Sequence, residues 1–138
     1  MDNKDKRKEK KTKPKLTKAE KKKRKKEKRY LKGESPSETE MNNLLQHYQT
    51  GQYGDAEKLA LSLTQEFPKH QFAWKVLGAV LGQTGRKPEA VDANQTAVAL
   101  SPQDAEAHSN LGNTLKELGR LDEAEASLRQ AIALKSDY

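Results

Sequence analysis

The chain has 138 residues, a pI near 9.5 and a formal charge of +7, which leaves room for one domain by length. It contains no Cys, so a disulfide framework and a thiolate metal site are excluded. No run approaches the about 18 apolar residues that a membrane-spanning helix needs, and the charged N-terminus is not followed by the apolar stretch of a secretory signal.

The charge is divided along the chain. Residues 1–33 hold 18 Lys/Arg against five Asp/Glu, whereas residues 34–138 hold nine against 15. The basicity belongs to an N-terminal tail and the rest is acidic. Within the tail, Met1–Lys15 is Lys-rich, broken at Pro14, and has almost nothing apolar to bury, so it is expected to be disordered. Thr17-Lys18-Ala19-Glu20 has the form of a capping box, which predicts a helix over Lys18–Leu31 ended by Gly33. Like charges four residues apart make that helix marginal on its own and firmer against a polyanion. Its run Lys21, Lys22, Lys23, Arg24, Lys25, Lys26 is the candidate polyanion-binding element. Phosphate neutralisation would give nonspecific nucleic-acid binding with steep salt dependence. The same run is similar to a nuclear import signal, or is a solubilising tail. Leu16, Tyr30 and Leu31 are too few anchors to favour a membrane surface, and aromatic interleaving for base stacking is nearly absent.

From residue 34 the apolar residues fall at helical spacing. Ser35, Pro36 and Glu38 predict the start of a helix that runs to about Thr50. Gly51 supplies a turn, and a second helix covers about Gly54–Phe67 through Ala56, Leu59, Ala60 and Leu63, ended by Pro68. A third helix, about Gln71–Thr84, places Trp74, Leu77 and Leu81 on one stripe, with Gly78 letting a partner helix approach. After Gly85 and Pro88 a fourth runs to about Leu100, its packing face kept small by Ala90, Ala93 and Ala97. Asp104 is placed to cap a fifth, about Ala105–Leu118; Gly119 turns the chain, and Asp122 with Glu125 is placed to cap a sixth, reaching about Lys135.

These segments repeat every 34 residues: Gly51, Gly85 and Gly119; Ala56, Ala90 and Ala124; Pro68 and Pro102; Leu77-Gly78 and Leu111-Gly112; Ala97 and Ala131. With Trp74 ahead of Leu77-Gly78, this pattern resembles the tetratricopeptide repeat, a helix–turn–helix unit. The resemblance implies an all-α fold: helix pairs stacked into a short right-handed superhelix behind the basic tail. Residues 34–70 form a degenerate first repeat, 71–104 the second and 105–138 the third. The second departs at Leu81 and Asn94, the third has His108 where the second has Trp74, and the first has Glu40 and Asn43 where Trp and Leu are expected. Terminal repeats need a cap, and Leu128 and Ile132 are the expected uncovered edge of the last helix. The sequence therefore favours the front end of a longer protein, with a second copy or a partner as the other cover.

Catalytic and metal chemistry find no foothold. Gly78, Gly82 and Gly85 lie in a helical pattern and its turn, not after a strand, so they are not a phosphate loop. His47, His70 and His108 fall in different repeats without ligand spacing. No nucleophile–base set emerges and no cofactor is expected. Function is assigned to the concave face. Its candidates are Asn42 on the first helix, Phe72, Lys75, Val76, Ala79 and Gln83 on the third, and Glu106, Ser109, Asn110, Asn113 and Lys116 on the fifth. The run Ser109-Asn110-Leu111-Gly112-Asn113 resembles the repeats of protein O-linked N-acetylglucosamine transferases, in which an Asn ladder holds a substrate's main chain. Asn42 and Asn110 occupy the corresponding place, and Val76 interrupts the ladder between them. Lys75 with Asn113 gives only part of the set that clamps a terminal carboxylate in other members of the repeat family.

The expectation is a non-enzymatic adaptor that binds a protein or peptide in its groove with low affinity. Two alternatives stand: the substrate-recruiting part of a larger glycosyltransferase, and a basic-tail nucleic-acid binder assembled through its repeats. The absence of Cys fits a reducing compartment, so a cytoplasmic location is expected, or a nuclear one in a nucleated cell.

Overall fold

The computed structural model describes residues 14–31 and 35–136, without the side chains of 26–31. The described residues form seven helices and no strand: α1 (Lys18–Leu31), α2 (Glu38–Gln49), α3 (Tyr53–Glu66), α4 (Gln71–Gln83), α5 (Lys87–Leu100), α6 (Ala105–Glu117) and α7 (Leu121–Ser136). Sequence positions 1–13, including most of the stretch expected to be disordered, and the stop expected at Gly33 lie outside the described residues.

Three identical turns set the repeat. Each of α2, α4 and α6 ends in a glycine of positive φ: Gly51 at +76°, Gly85 at +80° and Gly119 at +77°. The amide two residues past each cap closes back on the helix: Gln52 N–H to the His47 carbonyl, Arg86 to Leu81 and Arg120 to Leu115, at 2.8–2.9 Å. This is the Schellman closure, which satisfies the last free carbonyls and needs a residue without Cβ at the left-handed position. The ends of α3 and α5 are set by proline. Phe67 and Ser101, just before Pro68 and Pro102, take φ of −130° and −138°, since the helical region is disfavoured ahead of proline. The chain then enters α4 and α6.

The first repeat opens differently from the sequence expectation. Its cap is Ser37, not Ser35: the Ser37 hydroxyl accepts from Glu40 N–H and the Glu40 carboxylate accepts from Ser37 N–H, both at 3.1 Å. Two overlapping boxes were available, and Pro36, which is buried ahead of the helix, takes the place before the cap rather than its first turn. At the other end, α7 begins at Leu121, so Asp122 lies in its first turn and is not its cap. There Arg120 pairs with Glu123 at 2.6 Å. Ahead of α1 both bonds of the Thr17–Glu20 box are present, at 3.2 and 3.1 Å, as the sequence predicts.

Helix α4 touches both α2 and α6, and the three form one layer, while α3 and α5 each bridge to the next member of it. Helix α1 packs on α3. Among the described residues nine of the 19 buried apolar ones are Ala, so the helices meet closely around few large side chains, as the Ala-rich sequence implied. The larger core cluster runs from Leu44 to Ala93, with Leu44, Leu63 and Val80 its largest fully buried side chains. A smaller one gathers Val91, Leu111, Leu115 and Ala124.

The close contacts use a size exchange between paired helices. A Cβ on Gly112 would stand 2.7 Å from Leu128 Cγ, and one on Gly78 would stand 2.0 Å from Asn94 Oδ1. One repeat earlier the same two positions hold Leu44 and Ala60, both fully buried. Large and small have changed sides. Leu128, expected at the uncovered edge, is therefore seated on Gly112 and partly buried. Ile132 is the exposed one, at 67%, together with Leu121 at 61%.

Candidate functional site

The layer of α2, α4 and α6 carries two adjoining cavities. One, of about 340 Å³, lies mainly between α2 and α4 and is lined by Leu45, Tyr48, Phe72, Val76 and Ala79, with Gln71, Lys75, Glu106 and Asn110 as its polar wall. The other, of about 230 Å³, lies mainly between α4 and α6. Its lining is polar: Gln83, Lys87, Asn94, Asn110, Asn113, Thr114 and Glu117 around Gly78 and Gly82. Tyr48, Ala79 and Asn110 line both, so the two form one continuous groove.

Small residues open it. Gly82 has no heavy atom within 4 Å of where its Cβ would be, and Ala79 lies one turn earlier on the same helix. Tyr48 borders the space and packs against Tyr53, ring centroids 5.9 Å apart and tilted by 50°. Asn94 is buried on the floor and donates to Thr114 Oγ1 at 3.3 Å. Thr114 in turn donates to the Asn110 carbonyl at 2.8 Å.

The wall between α4 and α6 is held by Asp104, the cap of α6. One oxygen, Oδ1, accepts from Glu106 N–H at 3.0 Å and Ala107 N–H at 3.3 Å. The other, Oδ2, accepts from Gln71 at 2.8 Å and from Lys75 at 2.9 Å. Lys75 also reaches Glu106 at 3.2 Å. Burial pushes the Lys75 ammonium down, but its bonds to Asp104 and Glu106 outweigh that and hold it above the usual lysine value. Burial likewise pushes Asp104 up, and the bonds from Lys75, Gln71 and the Ala107 amide bring it below the usual carboxylate range.

Trp74, the mark of the second repeat, is structural. Its indole Nε1–H donates to the Pro68 carbonyl at 2.9 Å. In the third repeat His108 Nε2 meets the Pro102 carbonyl at 2.8 Å. A carbonyl only accepts, so that nitrogen carries the proton and the imidazole reproduces the indole's bond.

Of the residues singled out in the sequence, Phe72, Lys75, Val76, Ala79, Gln83, Glu106, Asn110 and Asn113 line the groove. Asn42, Ser109 and Lys116 line neither cavity. Val76, expected on the concave face, belongs to the larger core cluster as well and is only 6% exposed. Tyr48 and Leu45 were missed. The signal was present: Leu45 occupies the repeat position of Ala79 and Asn113, each of which was read as facing the groove. Lys21–Lys25 are exposed on α1, and the Lys26 side chain lies outside the described residues. Among the described residues no group of three or more His, Cys, Asp or Glu could hold a metal ion. No helix among them is long and apolar enough to cross a membrane.

A tetratricopeptide repeat family model matches residues 105–138, and a second, described as a TPR repeat, matches residues 78–119. Residues 78–138 carry tetratricopeptide repeats. Over 77 residues it is 35% identical to the UDP-N-acetylglucosamine–peptide N-acetylglucosaminyltransferase of Caenorhabditis elegans, covering 56% of this chain and 7% of that enzyme. Over 91 residues it is 31% identical to the protein O-mannosyl-transferase TMTC1 of Mus musculus, covering 63% of this chain and 10% of that protein. The chain thus spans a tenth or less of the curated relatives it matches. Among solved structures it is similar to MamA AMB-1, with a TM-score of 0.67 at 24% identity over 72% of this chain and 59% of that one. It is also similar to SycD, the Yersinia enterocolitica type III secretion translocator chaperone, with a TM-score of 0.68 at 24% identity over 70% of this chain and 67% of that one. A structure of SycD with a peptide of the translocator YopD aligns at a TM-score of 0.67 and 24% identity over 70% and 74% of the two chains. At these identities the likeness carries the fold.

Proposed function

We propose that this chain is a protein-interaction scaffold that holds an extended segment of a partner in the α2/α4/α6 groove. The observation that carries the reading is the continuity of the two cavities through Tyr48, Ala79 and Asn110. Side-chain amides from Asn110, Asn113 and Gln83 can donate to and accept from a peptide bond, which suits main-chain recognition with little dependence on sequence. A peptide bound by the similarly folded SycD is consistent with this use of the fold. We assign the chain binding and no turnover; the transferase names of its relatives bear on a recruiting role within a larger enzyme, which the short matched share keeps as the second choice. The test is selection from a displayed random-peptide library on the folded chain and on a Tyr48→Ala, Asn110→Ala variant. Enrichment on the first and none on the second is expected. Equal enrichment on both would place the binding elsewhere.

The basic helix supports a second activity. The described lysines and the arginine of α1 are exposed, and its contacts among the described residues are with α3, away from the groove layer. Such a helix can neutralise phosphates while the groove is occupied. Fluorescence anisotropy of a labelled duplex is expected to show binding that weakens steeply with salt and is lost when Lys21, Lys22 and Lys25 are changed to Glu. Binding that survives those changes would remove α1 from the role.

A further inference from the structure

The charges of the groove point to the kind of peptide it takes. The cations lining the two cavities are Lys75 and Lys87. Each is already engaged: Lys75 with Asp104 at 2.9 Å and Glu106 at 3.2 Å, and Lys87 with Glu117 at 2.6 Å. Three carboxylates therefore answer two ammonium groups, and the two that line the cavities, Glu106 and Glu117, are well exposed at 72% and 51%. A ligand carboxylate would meet lysines whose charge is already answered by protein carboxylates, and would lie beside those like charges. A ligand cation meets Glu106 or Glu117 without breaking anything. The larger cavity has an apolar side along Leu45, Tyr48, Phe72, Val76 and Ala79, and its volume of about 340 Å³ lies at the low end of the range for small-ligand sites. Leu45 is exposed there, at 37%.

We infer that the groove recognises an internal peptide segment, not a chain terminus: one large apolar side chain seated between α2 and α4, the main chain crossing at Asn110, and a Lys or Arg beside the anchor facing Glu106 or Glu117. The inference rests on the groove being a peptide site and adds its specificity. The apolar anchor supplies the contact area, while the flanking charge sets the preference among sequences and the salt dependence. The free lysine that a terminal-carboxylate clamp would need is absent from the described lining residues. By sequence Lys75 and Asn113 are only part of such a clamp, and Lys75 is paired with Asp104 and Glu106.

The experiment uses acetylated nine-residue peptides of Gly and Ser around a central Phe, titrated at low ionic strength against the whole chain. They carry either two Lys or two Glu beside the Phe, a central Ser in place of Phe, and a free or amidated C-terminus. The Lys-flanked Phe peptide is expected to bind at least about fivefold more tightly than the Glu-flanked one, as two exposed charge contacts allow. The Ser peptide should lose most of the binding, and amidation should change affinity less than about twofold, because the lysines that line the groove are already paired with protein carboxylates. Glu106→Gln, at an exposed position, should shrink the Lys-over-Glu preference while the Phe requirement stays. Tighter binding of the Glu-flanked or free-carboxylate peptide would overturn the inference and leave the groove as a peptide site. Failure of every peptide to bind would overturn the groove reading and the inference together.

Discussion

The second and third repeats solve the same packing problem with different chemistry. In both, a glycine of the first helix lets the second helix sit close. Against Gly78 stands Asn94, buried and bonded across to Thr114 of the next helix; against Gly112 stands Leu128, partly exposed. The polar choice falls where the repeat is covered by a following helix and borders the groove. The apolar choice falls where no later described helix packs. The 34-residue frame therefore fixes backbone and spacing, while the residue opposite the glycine reports what lies behind it.

Breaking that contact in the second repeat should have the largest effect. Gly78→Ala gains about 1 kcal/mol of helix propensity but drives a Cβ into Asn94 and unseats a buried amide, for a net loss of about 2 kcal/mol. Adding Asn94→Ala, which approaches the Leu44–Ala60 arrangement, should restore much of it; urea unfolding of both variants checks this. In the third repeat Leu128→Ala opens space over Gly112 without stranding a polar group. Because Leu128 is only partly buried, its cost should be about 1.5 kcal/mol. A null effect would mean that Leu128 is the bare edge the sequence suggested.

The tie between the two repeats comes next. Asp104→Asn keeps a capping oxygen but removes the charge facing Lys75 and the positive end of α6, costing about 1 kcal/mol in partly screened surroundings. Its pH dependence has a definite sign. The folded carboxyl of Asp104 lies below the ordinary range, so its contribution is complete above that range and is lost as pH falls through the folded value. Lys75 is held above its ordinary value, so its contribution is complete below that value and is lost only as pH rises through the raised one. The stability difference between the parent chain and Asp104→Asn should thus stay level through neutral pH and close in acid. The smallest effect is expected at Ile132→Ser, within about 0.5 kcal/mol, because that side chain leaves little apolar contact behind.

How much of this could be read from the chain depended on what each feature answers to. The turns could, because Gly51, Gly85 and Gly119 meet a local demand for positive φ, and the period repeats it three times. The cap of α2 could not be fixed, because Ser35-x-x-Glu38 and Ser37-x-x-Glu40 offer the same local bonds; the buried place of Pro36 decides between them. Leu128 was misjudged because its partner is an absence, the missing Cβ of Gly112, and the Leu44–Ala60 exchange was hidden by reading each position alone. The groove was legible on α4 and α6, whose repeats match the pattern well. On α2 the register with Ala79 and Asn113 pointed to Leu45, but the degenerate first repeat obscured Tyr48. The occupation of Lys75 by Asp104 joins residues from two repeats, 29 positions apart, and no local rule finds it.

The most direct test is amide chemical-shift mapping of the whole chain with the Lys-flanked Phe peptide. The account predicts saturable shifts centred on Tyr48, Ala79 and Asn110, with the exposed outer face of α7 unmoved. Shifts centred on Leu121 and Ile132, with the groove silent, would contradict it.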